Sequence, residues 1–189
     1  MRNLIAHIKK KIVLNDVEIE YLSSKAKLLT VKKKDFLLQE GDICKANYFV
    51  EKGCLRMFFI NDKGIEQITQ FAIENWWISD YMSFGAQSAS NFYIQAVENS
   101  EIIALNQISQ EELLRELPQL ERYFRLNMQR ALGAAQQRVK FFHDFSKEES
   151  YRHFTSLFPE FVQRIPQYML ASYLGLTPEY LSELRKKIS

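Results

Sequence analysis

The 189-residue chain is 47% hydrophobic and 25% charged, which supports one ordinary domain with a smaller companion and excludes a disordered or fibrous chain. Its net charge of +2 conceals an uneven distribution along the chain. No run approaches the roughly 18 apolar residues of a membrane span, and the opening MRNLIAHIKKKIVLNDVE lacks an unbroken apolar core or small-residue cleavage site, so a soluble cytoplasmic protein without a membrane partner is expected.

Residues 1 to 63 hold 13 Lys or Arg against 8 acids. Within and beyond them, from Asp35 to about Leu105, short apolar or aromatic runs alternate with turn signals in an all-β spacing. FLLQ precedes Gly41-Asp42, NYFVEK precedes Gly53, and CLRMFFI runs into the turn NDKG; IEQITQFAI, NFYIQAV and EIIAL follow. No proline interrupts Met1 to Leu117, which suits strands that need their N–H donors. Seven or eight such strands would close into a jelly roll or similar small barrel; an open sheet packed on flanking helices is the alternative. Cys44 and Cys54 fit small buried hydrophobes, with no spacing for a metal. From Gly64 to Leu114 there is no Lys, Arg or His, although seven acids are present.

After Asn106 the period turns helical. SQEELLREL offers Ser109 as an N-cap, and Pro118 opens a longer helix from Gln119 to about Phe142. Leu120, Phe124, Ala131, Ala134 and Phe141 make one apolar stripe, completed by Asn127 and Arg138. Met128, Leu132, Ala135, Val139 and Phe142 make a second. Two stripes suit a helix that packs on its own barrel and meets a partner, with Phe124, Asn127, Ala131, Ala134 and Arg138 expected at a dimer interface; one broad core helix in a monomer is the alternative. Ser146 then caps a further helix that ends before Pro159.

RIPQYMLASYLGLTPEYLSELRKK spells a helix-turn-helix. Ala171 is small where two helices cross, Gly175 supplies the turn, and Leu170, Leu174, Leu176, Leu181 and Leu184 pin the pair. Thr177 caps the second helix, Pro178 takes its first position, and Glu179 complements the dipole. In this motif the second helix enters the major groove, so Pro178, Glu179, Ser182 and Glu183 are the candidate base-facing residues, Glu179 as an acceptor from cytosine. Gln167, Thr177, Arg185, Lys186 and Lys187 are the candidate phosphate contacts. An αα-hairpin with a solvated basic end is the alternative.

The pattern EGDICKANYFVEKGCLRMFF, with Gly41, Asp42, Tyr48, Phe49, Val50, Gly53 and Arg56, followed by Gly64, the long helix and the terminal motif, resembles the cyclic-AMP receptor/Fnr (Crp/Fnr) superfamily of bacterial transcription regulators over nearly the whole chain. The RIP and LGLTPE elements resemble its divergent Bacteroidetes branch. The resemblance implies an α+β chain: a cyclic-nucleotide-binding-like sensory β-barrel over 1–118, a dimerisation helix over 119–143, and a helix-turn-helix domain over 144–189 without a long wing. Its implied partners are double-stranded DNA and a second copy, with RNA polymerase a further candidate.

Nucleotide-binding members carry a Gly-Glu pair and an Arg-Ser pair that clamp ribose and phosphate. Here the matching positions are Ser79-Asp80 and Ser90-Asn91, and the segment supplies no cation, so a degenerate pocket and an effector other than cyclic AMP are expected. Trp76, Trp77, Phe84 or Phe92 would fill it, or an apolar or neutral ligand would. Two cysteines are too few for the family's iron-sulfur cluster, and His143 is the one haem-ligand candidate in the helix, so no cofactor is expected. Glu183 stands where the family usually has an Arg that reads guanine. The expected function is therefore a non-enzymatic, sequence-specific DNA-binding regulator. The alternative is a ligand-binding or protein-interaction module with weakened DNA contact.

Overall fold

The computed structural model describes residues 1–188; Ser189, the end of the expected terminal domain, lies outside the described residues. The chain separates into two compact units, one of residues 1–59 and 69–127, the other of residues 60–68 and 128 onward.

Eight strands, β1 (Lys27–Val31), β2 (Phe36–Leu38), β3 (Ala46–Lys52), β4 (Leu55–Ile60), β5 (Glu66–Ala72), β6 (Trp77–Ile78), β7 (Tyr93–Ala96) and β8 (Ser100–Asn106), form two four-stranded sheets. Their orders, β1-β8-β3-β6 and β2-β7-β4-β5, make a jelly-roll-like sandwich. Strand β1 lies upstream of the expected start at Asp35; its mostly exposed KLLTV gives little alternation to read.

Strand β3 explains the architecture. Ala46 to Glu51 are all buried, because both faces of the strand are covered. Tyr48 and Val50 point with Leu55, Ile94 and Ile102 into the space between the sheets. Phe49, with Ile103 and Leu105 of β8, points to the opposite face, where helices cover it. Burying a side chain such as Phe49 contributes about 1.5–3 kcal/mol. At the turn after β3, Gly53 has φ +106, and an added Cβ would lie 2.2 Å from Ser100 Oγ, so only glycine fits.

The covering helices are α1 (Arg2–Lys9), α2 (Asp16–Lys25), α4 (Gln107–Glu116) and the first turns of α5 (Gln119–Asp144); a short α3 (Tyr81–Ala86) precedes β7. Buried Glu51 accepts from the Asn3 and Leu4 amides at 2.7 and 3.2 Å, fixing the start of α1 on β3. The cap of α4 is Asn106, whose side chain accepts from Ser109 N–H at 2.8 Å, and not Ser109 itself. The helix begins directly at the end of β8, three residues before the polar cluster that suggested the boundary.

In the second unit, α5 continues beyond Met128 and is followed by α6 (Lys147–Leu157), α7 (Pro159–Arg164), α8 (Gln167–Leu174) and α9 (Pro178–Ile188). Ser146 caps α6 in a capping box with Glu149. The core is Tyr151, Phe161, Ile165, Met169, Leu170, Ala171, Leu176, Leu181 and Leu184. The tip joining β4 to β5, residues 60–68, also belongs to this unit, a grouping that sequence order does not suggest. Among the described residues no helix is long and apolar enough to cross a membrane.

Candidate nucleic-acid interface

Helix α8 stops because Gly175 turns left-handed at φ +67. Leu176 N–H then donates to Ala171 C=O at 2.9 Å and Gly175 N–H to Ser172 C=O at 3.2 Å, the paired bonds of a Schellman turn. Helix α9 starts with Thr177, whose hydroxyl accepts from Tyr180 N–H at 3.2 Å, and with Pro178 in its first position. Ala171 and Leu181 are fully buried where the helices cross, and Leu170, Leu176 and Leu184 close the contact. Leu174 is only half-buried, while Met169, unmarked in the sequence pattern, is buried in its stead.

This packing turns Gln167, Thr177, Pro178, Glu179, Ser182, Glu183, Arg185, Lys186 and Lys187 to the surface. The first turns of α9 present two carboxylates and two hydroxyl groups, and its last turn carries three cations. Beside them, Lys147 Nζ lies 5.5 Å from the Tyr180 ring centroid, a cation–π contact that fixes a further positive charge next to α9.

The expected dimer residues divide. Ala131 and Ala134 are exposed. Phe124 packs against Trp77 and Tyr123 at centroid distances of 5.5 and 5.2 Å. Asn127 donates to Tyr123 C=O at 2.8 Å and accepts from Lys11. Arg138 donates to Tyr173 C=O at 2.9 Å and to Ile68 C=O at 3.3 Å, and burial pulls its guanidinium pKa down. These three half-buried residues therefore make contacts within their own chain. Met128, Leu132, Val139 and Phe142 stand 43%, 62%, 58% and 55% exposed, and with exposed Ala135 they repeat at alternating steps of four and three. These residues are the second stripe, an exposed apolar seam along the helix.

In the sandwich, Ser79, Asp80 and Ser90 are buried and Asn91 is exposed. Asp80 Oδ1 accepts from the Met82 and Ser83 amides at 3.1 and 3.2 Å, capping α3. Its Oδ2 accepts from Ser90 Oγ at 2.6 Å. Ser79 Oγ donates to Ala46 C=O at 3.3 Å. The pair of loops expected to line a pocket do meet, and their polar groups bond one another. Of the aromatics expected to fill it, Phe84 joins the inter-sheet core. Trp76 is 40% exposed, Trp77 faces the helices, and Phe92 packs edge-on against Phe59. Arg56 lies on the other face of β4 from Leu55 and Met57, holding Gln95 Oε1 at 2.7 and 3.0 Å and stacking on Phe58. Cys44 and Cys54 are both buried and not joined in a disulfide. Among the described residues no three His, Cys, Asp or Glu side chains gather as a metal site.

The cyclic nucleotide-binding domain family matches residues 28–116, the sandwich together with α4. The chain is 25% identical over 187 residues to the anaerobic regulatory protein of Haemophilus influenzae, covering 90% of this chain and 70% of that one. It is 28% identical over 167 residues to the transcriptional activator protein Anr of Pseudomonas aeruginosa, covering 82% and 67% respectively. Among solved structures, FixK2 from Bradyrhizobium japonicum shares the fold with a TM-score of 0.72 at 16% identity, over 86% of this chain and 84% of that one. The chain is thus similar in sequence to bacterial transcription regulators, carries a match to the cyclic nucleotide-binding domain, and shares its fold with FixK2.

Proposed function

We propose that this chain acts in the cytoplasm as a dimeric, sequence-specific DNA-binding regulator with no catalytic role, and that cyclic AMP is not its effector. The observation that carries the reading is the exposed face of α9, presented by two helices locked through Ala171, Gly175 and Leu176. Arg185, Lys186 and Lys187 supply local positive charge for phosphates, while Glu179, Ser182 and Glu183 offer acceptors to base edges. The stripe from Met128 to Phe142 supports a second copy as partner. Against a cyclic nucleotide stand the Asp80–Ser90 bond and the absence of any Lys, Arg or His from Gly64 to Leu114. A buried phosphate there would lack a compensating charge.

Binding of footprint-selected genomic DNA, followed by fluorescence anisotropy across a salt series, tests the reading. Affinity should fall linearly in log–log form, with a slope of about −0.9 per neutralised phosphate. A flat response, or no binding at low salt, refutes it. The second reading, a ligand-binding or protein-interaction module with weakened DNA contact, draws on Glu179 and Glu183, one turn apart on the exposed face of α9. Like charges so placed repel phosphate as well as each other.

A further inference from the structure

Strand β5 is the last strand of its sheet, so the N–H and C=O groups along one side need partners from elsewhere. At its beginning these come from side chains. Ser172 Oγ accepts from Ile68 N–H at 3.0 Å and donates to Glu66 C=O at 2.8 Å, completing the edge as a neighbouring strand would. Arg138 donates to Ile68 C=O at 3.3 Å and to Tyr173 C=O at 2.9 Å, with its guanidinium 4.0 Å from the Tyr173 ring centroid. A serine inside a helix ordinarily turns its hydroxyl to the carbonyl one turn back; Ser172 sends it to the strand. The hairpin tip so gripped is itself stiff: Asn61 Oδ1 accepts from Lys63 and Ile65 amides at 3.0 and 3.1 Å, around Gly64 at φ +73.

We propose that Ser172 and Arg138 are positioning residues for DNA binding: they clip α8 to the edge of β5, fixing the orientation of the helix-turn-helix on the hairpin. This rests on the reading of α8 and α9 as the DNA-binding pair. Ser172 and Tyr173 are half-buried, whereas Gln167, Thr177, Glu179, Ser182 and Glu183 are exposed, so the clip and a duplex use different faces and coexist. An ordered clip lowers the ordering cost of docking, and by linkage a bound duplex tightens the clip.

Hydrogen exchange of the full-length protein, free and with a selected DNA fragment, tests this. The Ile68 amide should exchange slowly in the wild type and slow further with DNA. In Ser172→Ala its exchange should rise about tenfold, DNA affinity should drop about fivefold, and the response to DNA should vanish; Ser172→Thr, which keeps the hydroxyl, should restore all three. Arg138→Lys should weaken binding with the unfolding midpoint nearly unchanged. Unaltered Ile68 exchange in Ser172→Ala overturns the clip. Faster exchange with full affinity overturns its part in DNA binding. A wild type that holds no DNA overturns the regulator reading and the coupling together, while Ile68 exchange still reports whether the clip forms.

Discussion

The hydroxyl of Ser90 donates to the carboxylate of Asp80 at 2.6 Å, ten residues away and buried. With two amides at the start of α3 on its other oxygen, Asp80 is committed to holding its own loop.

Asp80→Ala should therefore cost stability, by about 1–3 kcal/mol for the stranded donors, read as a lower midpoint in urea. Calorimetric titration of the wild type with cyclic AMP should give no heat. Micromolar binding would show that the Asp80–Ser90 bond opens to admit a ligand.

Replacing Gly175 by Val should disable DNA binding and leave the sandwich folded. A branched residue at φ +67 is strained, and its Cβ would meet Phe142 Cε1 at 3.4 Å. Ala171→Leu should act similarly, overpacking the fully buried crossing by about 1–3 kcal/mol. Circular dichroism checks the sandwich and anisotropy checks binding; full affinity in both variants would remove the crossed helices from the function.

Glutamate at both Leu132 and Val139 should convert dimers to monomers in sedimentation velocity, since these residues stand 62% and 58% exposed on the seam. Glutamate at Phe124 should instead damage folding, because that ring packs within its own chain. An unchanged sedimentation profile in the double variant would reject the seam.

The Tyr48 phenol is buried and donates to Leu37 C=O at 3.2 Å. Burial first, and then the Cys44 thiol, push its pKa from 10.0 up to about 12. The folded state holds this proton more tightly than the unfolded chain, so its contribution is complete below pH 10 and is lost as pH rises towards 12. Relative to Tyr48→Phe, the wild type should lose at most about 1.4 kcal/mol per pH unit in that window. Parallel stability curves for the two proteins above pH 10 would show that Tyr48 is solvated.

Much of this was legible in the chain because it rests on local rules. Gly175, Thr177 and Pro178 specify a turn and a helix start without help from distant residues, and Ser146 with Glu149 does the same for α6. What the sequence pattern missed depends on long-range contact. Both α5 stripes look alike by period, and only the neighbours Trp77 and Tyr173 reveal that Phe124 and Arg138 also make contacts within their own chain. Pairing of Ser172 with Glu66 and Ile68 spans more than a hundred residues, as the separations of 106 and 104 record, and a lone serine in an apolar helix gives no sign of it. The short α3 stayed hidden because YMSFGA is too brief for a period to show.

Tyr123 gives the protein a built-in optical reporter. Its hydroxyl accepts from Trp77 Nε1 at 2.9 Å while lying 2.9 Å from His7 Nδ1, so the Trp77 indole is tethered to the root of α5. The only other tryptophan, its neighbour Trp76, is 40% exposed. Iodide should darken Trp76 selectively, leaving an emission that follows the base of the long helix in real time, without any attached dye.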